Sequence, residues 1–280
     1  MNLQNHKSTE YLLASDFDQT LSYNDSGQIL AEMLGISHFQ QKVDGLTRSN
    51  LVHQGAELAY LLRHDPQFRS VRREHLLEAG RRVRLKDDIE LFIGLLERDW
   101  DGVRFRFCVI SAAPREVVKS ALEGIVPSEN IFGTEFAYEP DAGEISDILR
   151  ATAGYGKIAV LEELQTKLQI TPDHTIYVGD GSSDLYVMHH VNSRSGHSIA
   201  VSETKSIGRI ARRTVLSASA LGVLLPILED ILKWNADQIR ELFASQGFGL
   251  QDWDKIHTDW LTFNKAPVRA VPDEQAALAS

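Results

Sequence analysis

Cysteine pairs and long apolar runs are missing from this chain. Cys108 is its one cysteine, so no internal disulfide forms, and its position in an apolar run indicates a core residue. No run approaches 18 apolar residues, so we expect no transmembrane helix and no membrane partner. The first ten residues are polar and lack the apolar stretch of a signal peptide, which makes a cytoplasmic location the default expectation.

Basic residues are fewer than acidic ones. The 280 residues include 29 Lys and Arg against 39 Asp and Glu, a net charge of −10. Phosphate backbones attract basic surfaces, so nucleic acid is not an expected partner. With 43% hydrophobic residues the composition is that of an ordinary globular protein, of one large domain or two small ones. The oligomeric state is not determined by these features.

The apolar run Tyr11–Ser15 ends in two carboxylates, Asp16 and Asp18. Such a run predicts a buried strand of a parallel sheet, and ligands bind beyond the carboxyl ends of such strands. Two neighbouring carboxylates indicate a bound divalent metal, a shared proton or both. The alternative is a simple turn, in which aspartate is also common.

Strands and helices alternate along the rest of the chain. Further buried strands are predicted at Phe105–Ile110, Thr175–Val178 and Ser198–Val201, and Pro140–Gly143 indicates a hairpin. This alternation predicts an α/β fold with a doubly wound parallel sheet and right-handed crossovers.

Two segments lie outside this alternation. Between the first and second strands, helical spacing recurs at Ile29–Leu34, Asn50–Arg63 and Val71–Val83, which predicts an inserted helical module. The stretch from Leu216 onward is also helical in pattern. It holds three of the four tryptophans, at 234, 253 and 260, so we expect it to dock on the core, with disorder from about Pro267.

Polar residues follow three of the predicted strands. They are Asp16 with Asp18, then Ser111, then Asp180 with Asp184, and Lys157 begins the helix between the last two groups. Converging at one sheet edge, these acids, one hydroxyl and one lysine suit Mg²⁺-assisted phosphoryl transfer. Taken singly, Ser111 has a simpler role as a helix cap, Lys157 as a solvated side chain and Asp184 as a helix N-terminal charge.

Together these residues resemble the motifs of the haloacid dehalogenase (HAD) superfamily of phosphatases. Asp16-Phe17-Asp18-Gln19-Thr20 resembles its first motif, DxDxT, and Gly179–Asp184 its fourth, GDxxxD. Ser111 and Lys157 resemble the second and third motifs, so the resemblance covers roughly residues 11–205. Gln19 departs from the pattern, because many relatives carry glycine there.

The resemblance implies a role for each of these residues. Asp16 would be the nucleophile that forms an aspartyl-phosphate, and Asp18 the general acid and then the base. Phosphoryl oxygens would be bound by Ser111, Lys157 and backbone N–H groups such as that of Ala112. The Mg²⁺ ligands would be Asp16, the Asp18 carbonyl and Asp180, with Asp184 as a further ligand or support.

The inserted module resembles the helical cap of the phosphoserine-phosphatase-like branch. The implied division is a Rossmann-like HAD core at 1–22 and 86–215, an α-helical cap domain at 23–85 and a helical extension at 216–280. Such a cap closes over small substrates. No clear serine-reading pattern is present. Asp25 is the one acid near the first motif that is a candidate to read a substrate amine. Arg48 and Arg63 are candidates to contact a substrate, although exposed helix arginines are more often solvated.

The resemblance implies a Mg²⁺-dependent phosphomonoester hydrolase that acts on a small phosphorylated metabolite. One alternative is a catalytically weak or regulatory phosphate-binding protein, which the intact pair Asp16 and Asp18 opposes. Another is a phosphoprotein phosphatase, which a cap of this size opposes because it would block bulky substrates.

Overall fold

A computed structural model describes residues 8–250 of the chain. Its sheet has seven strands, β1 to β7: Thr9–Ser15, Val103–Pro114, Ile131–Tyr138, Ile145–Arg150, Thr175–Gly179, His197–Ala200 and Arg213–Thr214. The helices between residues 8 and 250, α1 to α11, are Ser26–Met33, Phe39–Ser49, Glu57–His64, Arg73–Arg81, Ile89–Leu96, Arg115–Ala121, Tyr155–Leu168, Leu185–Ser193, Lys205–Gly208, Leu224–Asp230 and Ala236–Ser245. Short 3₁₀ turns complete the set.

The sheet confirms the predicted α/β fold. Its strand order is β4-β3-β2-β1-β5-β6-β7, and every neighbouring pair is parallel except β3 and β4. That antiparallel pair is the predicted hairpin at Pro140–Gly143. The first strand lies in the centre, with Ser15 opposite both Val109 and Val178. This register brings the carboxyl ends of β1, β2 and β5 to one edge.

Burial on both faces explains the apolar character of the central strands. Leu12 and Ala14 of β1 pack in a core with Tyr177 of β5 and with Val160 and Leu161 of α7. Cys108 is buried in the same core, and burial raises the pKa of its thiol to about 12. It is therefore a core residue, as predicted, with no thiolate available near neutral pH.

The segment between β1 and β2 is helical, as predicted, but its internal boundaries differ from the prediction. The predicted helix over Asn50–Arg63 is wrong in its first half, because α2 ends at Ser49 and α3 begins at Glu57. Asn50 ends α2 in the left-handed conformation, with φ of 51°. Helix α2 lies outside the predicted helices. Its apolar side is formed by Phe39, Val43 and Leu46.

The inserted helices share their core with the sheet. Leu30, Phe39 and Leu76 cluster with Val117 of α6 and Phe136 of β3. The chain up to Asn235 forms one compact unit, so the division into core and cap stays a prediction.

The strand predicted to end at Ile110 continues to Pro114, with irregular pairing to β3 over those last residues. Toward the C-terminus, Leu224 and Ile227 of α10 are buried, and Trp234 packs edge-on against Trp100 at 5.4 Å between ring centroids. A second unit begins at Ala236 and contains α11. The predictions for Trp253, Trp260 and the disordered end lie outside the described residues.

No helix between residues 8 and 250 combines the length and apolar character that crossing a membrane requires.

Candidate active site

A cavity of about 430 Å³ opens at the carboxyl ends of β1, β2 and β5. The sheet side contributes all but two of the sequence-predicted site residues: Asp16, Asp18, Ser111, Ala112 and Asp180. The opposite wall comes from α2, α3 and the loop before α3, through Phe39, Val43, Asp44, Thr47, Gly55, Glu57 and Leu58. The two remaining predicted residues, Lys157 and Asp184, are buried beneath the cavity.

Asp16 is held rigidly at the end of β1. Its N–H donates to the Val178 carbonyl at 2.8 Å, which continues the pairing of β1 with β5. Its Oδ1 accepts from the Phe17 N–H at 2.8 Å, and its Oδ2 lies 2.9 Å from Lys157 Nζ. The side chain therefore has one donor on each oxygen, and lone pairs remain for a further partner.

Asp18 is positioned by the first turn of α1. The Ser26 N–H donates to its Oδ1 at 2.9 Å and the Ser26 hydroxyl to its Oδ2 at 2.8 Å. Burial raises the pKa of Asp18 well above its usual value, and the charges of Asp25 and Asp16 add to that effect. This environment favours the protonated carboxyl group, the form that a general acid needs.

The turn after Asp18 places Gln19 in a backbone conformation that favours glycine. Gln19 has φ of 56°, the left-handed region in which glycine carries no steric penalty, and its N–H donates to the Ser22 hydroxyl at 3.2 Å. The next residue, Thr20, is buried and donates from Oγ1 to Asp180 Oδ1 at 3.2 Å. The turn thus links the first motif to Asp180.

Lys157 is completely buried in the first turn of α7. Its ammonium lies 2.6 Å from Asp184 Oδ1 and 2.9 Å from Asp16 Oδ2, with the Ser183 hydroxyl at 3.4 Å. Burial alone favours the neutral amine, but the carboxylates of Asp16 and Asp184 outweigh it and raise the pKa of Lys157. The side chain is therefore a fixed positive charge directly behind Asp16.

Asp184 accepts hydrogen bonds on both oxygens. Its Oδ1 accepts from Lys157 and from the Tyr177 hydroxyl, and its Oδ2 accepts from the N–H groups of Asp180 and Gly181, each at 3.2 Å. The Asp184 side chain also crowds Gly179, where a Cβ would lie 2.5 Å from the carboxyl carbon. These four hydrogen-bond donors stabilise its negative charge, and through them Asp184 positions Lys157 and the Asp180 loop.

Three carboxylates can converge on one cation here. Asp16, Asp180 and Asp184 each offer an oxygen, and these oxygens lie within 4.8 Å of one another. Lys157 balances one of the three charges, so two negative charges remain in excess. Burial is the main cause that raises the pKa of Asp16, and it raises that of Asp180 to about 6. The charge of Asp184 is the second cause in both cases. Hard oxygen donors with this excess charge fit Mg²⁺.

Ser111 and Ala112 lie on the irregular last part of β2. The Ser111 hydroxyl is buried and accepts from the Ala113 N–H at 3.2 Å. The carbonyl of Ala112 accepts from Thr134 Oγ1 at 2.8 Å, which secures the backbone of this segment to β3. Both residues line the cavity.

The prediction missed residues that orient the main groups. Ser26 holds Asp18, Thr20 holds Asp180 and Tyr177 holds Asp184. A hydroxyl within the buried run Ile176–Val178 was the available signal for Tyr177, because a buried hydroxyl needs a partner.

Of the three residues considered for substrate contact, only Asp25 lines the cavity. The Arg48 guanidinium donates from Nε to the Asp44 carbonyl of its own helix, and Arg63 is exposed near the end of α3.

Several solved structures have a fold similar to that of this chain. A substrate-bound phosphoserine phosphatase complex is 18% identical, with a TM-score of 0.62, over 78% of this chain and 98% of that one. A phospho-aspartyl intermediate analogue of phosphoserine phosphatase, also 18% identical, has a TM-score of 0.62 over 78% and 99%. A HAD family hydrolase from Salmonella enterica serovar Typhi is 16% identical, with a TM-score of 0.63 over 79% and 72%. The fold is therefore that of the phosphoserine phosphatases.

Sequence comparison identifies the family. No curated protein matches this sequence significantly. The family model for haloacid dehalogenase-like hydrolases matches residues 13–189, more than half of the chain, including Asp16, Ser111, Lys157 and Asp180. The chain belongs to the haloacid dehalogenase-like hydrolase family.

Proposed function

We propose that this protein is a Mg²⁺-dependent phosphatase that hydrolyses phosphomonoesters of small metabolites through an aspartyl-phosphate. One observation carries the proposal. Asp16 and Asp18 stand together at the cavity, with Lys157 behind Asp16 and a charge excess that fits a divalent cation. A cavity of about 430 Å³ suits a small ligand.

Asp16 carries out the first step. Its carboxylate attacks phosphorus, so that a bond forms between the Asp16 oxygen and phosphorus while the bond from phosphorus to the substrate oxygen breaks. Asp18 donates its proton to the departing oxygen, which leaves as an alcohol. The hydrogen bonds from Ser26 hold Asp18 in place and stabilise the carboxylate that this transfer leaves.

Asp18 then acts as a base. It removes a proton from a water molecule, whose oxygen forms a bond to phosphorus while the bond between phosphorus and the Asp16 oxygen breaks. Inorganic phosphate leaves, and the Asp16 carboxylate is regenerated. Ser111, the N–H of Ala112 and Lys157 would bind the phosphoryl oxygens during both steps. Because Lys157 is fixed by Asp184, this charge needs little reorganisation when the phosphoryl group arrives.

Asp16, the Asp18 carbonyl and Asp180 would hold the Mg²⁺, which when bound neutralises phosphoryl charge. We place Asp184 behind these residues as a support, because both of its oxygens already accept hydrogen bonds. The helices within residues 23–85, α1 to α4, would act as the cap that limits the site to small substrates. A cytoplasmic location stays a prediction.

A screen of phosphorylated metabolites with and without Mg²⁺ tests the proposal, with Asp16→Asn as the control. We expect Mg²⁺-dependent phosphate release by the wild type and none by the variant, since the amide cannot act as the nucleophile. Binding of phosphate esters without any turnover would favour a regulatory protein. Turnover of phosphopeptides at rates above those of small esters would favour a phosphoprotein phosphatase.

A further inference from the structure

The charges that line the cavity are all of one sign. Among the residues that the structure describes, none of those lining it is Lys, Arg or His. Six carboxylates do line it: Asp16, Asp18, Asp25, Asp44, Glu57 and Asp180. The cavity is therefore acidic, and positive charge would be supplied only at the end that receives the phosphate, by Lys157 and the Mg²⁺.

Three of these carboxylates, here called the outer carboxylates, lie on the helical segment between β1 and β2. Asp25 precedes α1, Asp44 lies on α2 and Glu57 begins α3. Within residues 8–250, the group of three acids close enough to hold a metal ion is Asp16, Asp180 and Asp184, which includes none of them. Of the outer carboxylates, Asp44 and Glu57 lie on the wall opposite Asp16 and Asp180, where we expect the part of the substrate that is not phosphate.

Glu57 is the most constrained of the outer three. It is 6% exposed, its Oε1 accepts from the Thr47 hydroxyl at 2.8 Å, and its Oε2 accepts from the Gly55 N–H at 2.7 Å. Both donors are neutral, and no ion pair of Glu57 occurs within the described part of the chain. A buried carboxylate whose donors are all neutral has no opposite charge beside it, and a ligand cation would supply one.

The basic side chains around the cavity are engaged elsewhere. On α2, Lys42 forms an ion pair with Asp65, and Arg48 donates to a backbone carbonyl of its own helix. Beneath the cavity, Lys157 is held between Asp16 and Asp184. No arginine or lysine among the described lining residues is available to bind a substrate carboxylate.

We propose that the preferred substrates are phosphate esters of amino alcohols, whose leaving group carries an ammonium and no carboxylate. The inference rests on the proposed phosphatase activity and adds the substrate class. The ammonium would lie near Glu57 and Asp44, and the methylene groups of the substrate against Phe39 and Leu58. A carboxylate on the substrate would meet only like charges there, which disfavours phosphorylated amino acids by repulsion.

A matched series of esters tests the substrate class. We compare 2-aminoethyl phosphate with 2-hydroxyethyl phosphate, which lacks the charge, and with O-phosphoserine, which adds a carboxylate. We expect kcat/KM for the aminoethyl ester to exceed that for each of the others about tenfold or more. An equal or higher value for O-phosphoserine would overturn the inference.

The variant Glu57→Gln links the preference to one residue. We expect it to reduce the kcat/KM ratio of the aminoethyl to the hydroxyethyl ester about tenfold, mainly through KM, because the amide keeps the shape but loses the charge. Asp44→Asn, on the exposed face of α2, should reduce the ratio in the same direction and serves if Glu57→Gln fails to fold. The matched control is Glu116→Gln, a glutamate outside the cavity that accepts from Tyr138. An unchanged ratio in both cavity variants would overturn the inference.

An activated aryl phosphate separates this inference from the proposed function. Turnover of the aryl ester without any preference in the matched series would refute the substrate class alone. Absence of turnover with every ester, in Mg²⁺ and with a folded protein, would refute the phosphatase proposal and the substrate class with it.

Discussion

The Tyr177 hydroxyl donates to Asp184 Oδ1 at 2.7 Å, and Lys157 Nζ contacts the same oxygen at 2.6 Å. Tyr177 is fully buried in β5, and Lys157 is fully buried in α7. Since the other oxygen of Asp184 accepts from the N–H groups of Asp180 and Gly181, this one carboxylate connects a strand, a helix and the loop that carries Asp180.

We expect Tyr177→Phe to weaken Mg²⁺ binding by about 10- to 100-fold, because Asp184 would position the Asp180 loop less firmly. The free energy of unfolding without metal should fall by about 1–2 kcal/mol through the lost hydrogen bond. Calorimetric Mg²⁺ titration and urea unfolding in EDTA measure the two effects. Tyr138→Phe is the control, since its hydroxyl donates to Glu116 at 2.7 Å outside the cavity. Equal Mg²⁺ affinity in both variants would show that Tyr177 serves stability alone.

Asp18→Asn should separate the two chemical steps. The amide keeps the backbone carbonyl but neither donates the acid proton nor activates water, so breakdown of the aspartyl-phosphate should slow about 10²–10⁴-fold. With an activated aryl phosphate, whose leaving group needs no proton, a burst should appear and phosphorylated Asp16 should accumulate. Rapid-quench kinetics with intact-mass detection measure both. Steady hydrolysis at the wild-type rate would remove Asp18 from the proposed mechanism.

Asp180→Ala should raise the Mg²⁺ concentration needed for half-maximal activity, because one oxygen donor and its charge are lost. EDTA should abolish wild-type activity, and added Mg²⁺ should restore it. The control is Asp173→Ala, an exposed acid outside the cavity. Full activity in EDTA, with metal analysis detecting none, would contradict the metal assignment.

Gly179→Ala should destabilise the fold by about 1–3 kcal/mol, because the added methyl group has no space beside the Asp184 carboxyl carbon. Gly94→Ala on the exposed side of α5, where no atom lies within 4 Å of the new methyl group, should instead stabilise by about 0.5–1 kcal/mol. Thermal and urea unfolding of the two variants measure this difference. An unchanged stability of Gly179→Ala would show that the loop bearing Asp184 shifts at little cost to make room for the methyl group.

Local pattern was sufficient to predict the central strands of the sheet, although not the edge strand β7. The apolar runs at Leu12, Phe107 and Ile176 have the length and flanking turns of buried strands, and all three became parallel strands. Local pattern failed over residues 50–56, where leucine spacing continued a helical period. There Asn50 and Gly55 take positive φ, and the backbone leaves the helix.

The order of the polar groups along the chain was also readable from the sequence. Aspartates after the first and third predicted strands are close in space because parallel strands bring their carboxyl ends to one edge. Sequence reasoning did not find the groups that hold them. Ser26 contacts Asp18 from the start of α1, and Tyr177 contacts Asp184 from β5. Both contacts depend on how these segments pack in the folded chain.

The sequence by itself determined the central strands, their parallel arrangement and the acidic residues at one sheet edge, because period and turn chemistry are local properties. Only the tertiary structure decided that Asp184 accepts four hydrogen bonds and that Glu57 lines a cavity with no basic side chain among its described residues. Those facts depend on contacts between segments far apart in the chain, such as Lys157 with Asp16. Contacts of that kind form when helices and strands pack, and no short stretch of sequence encodes them.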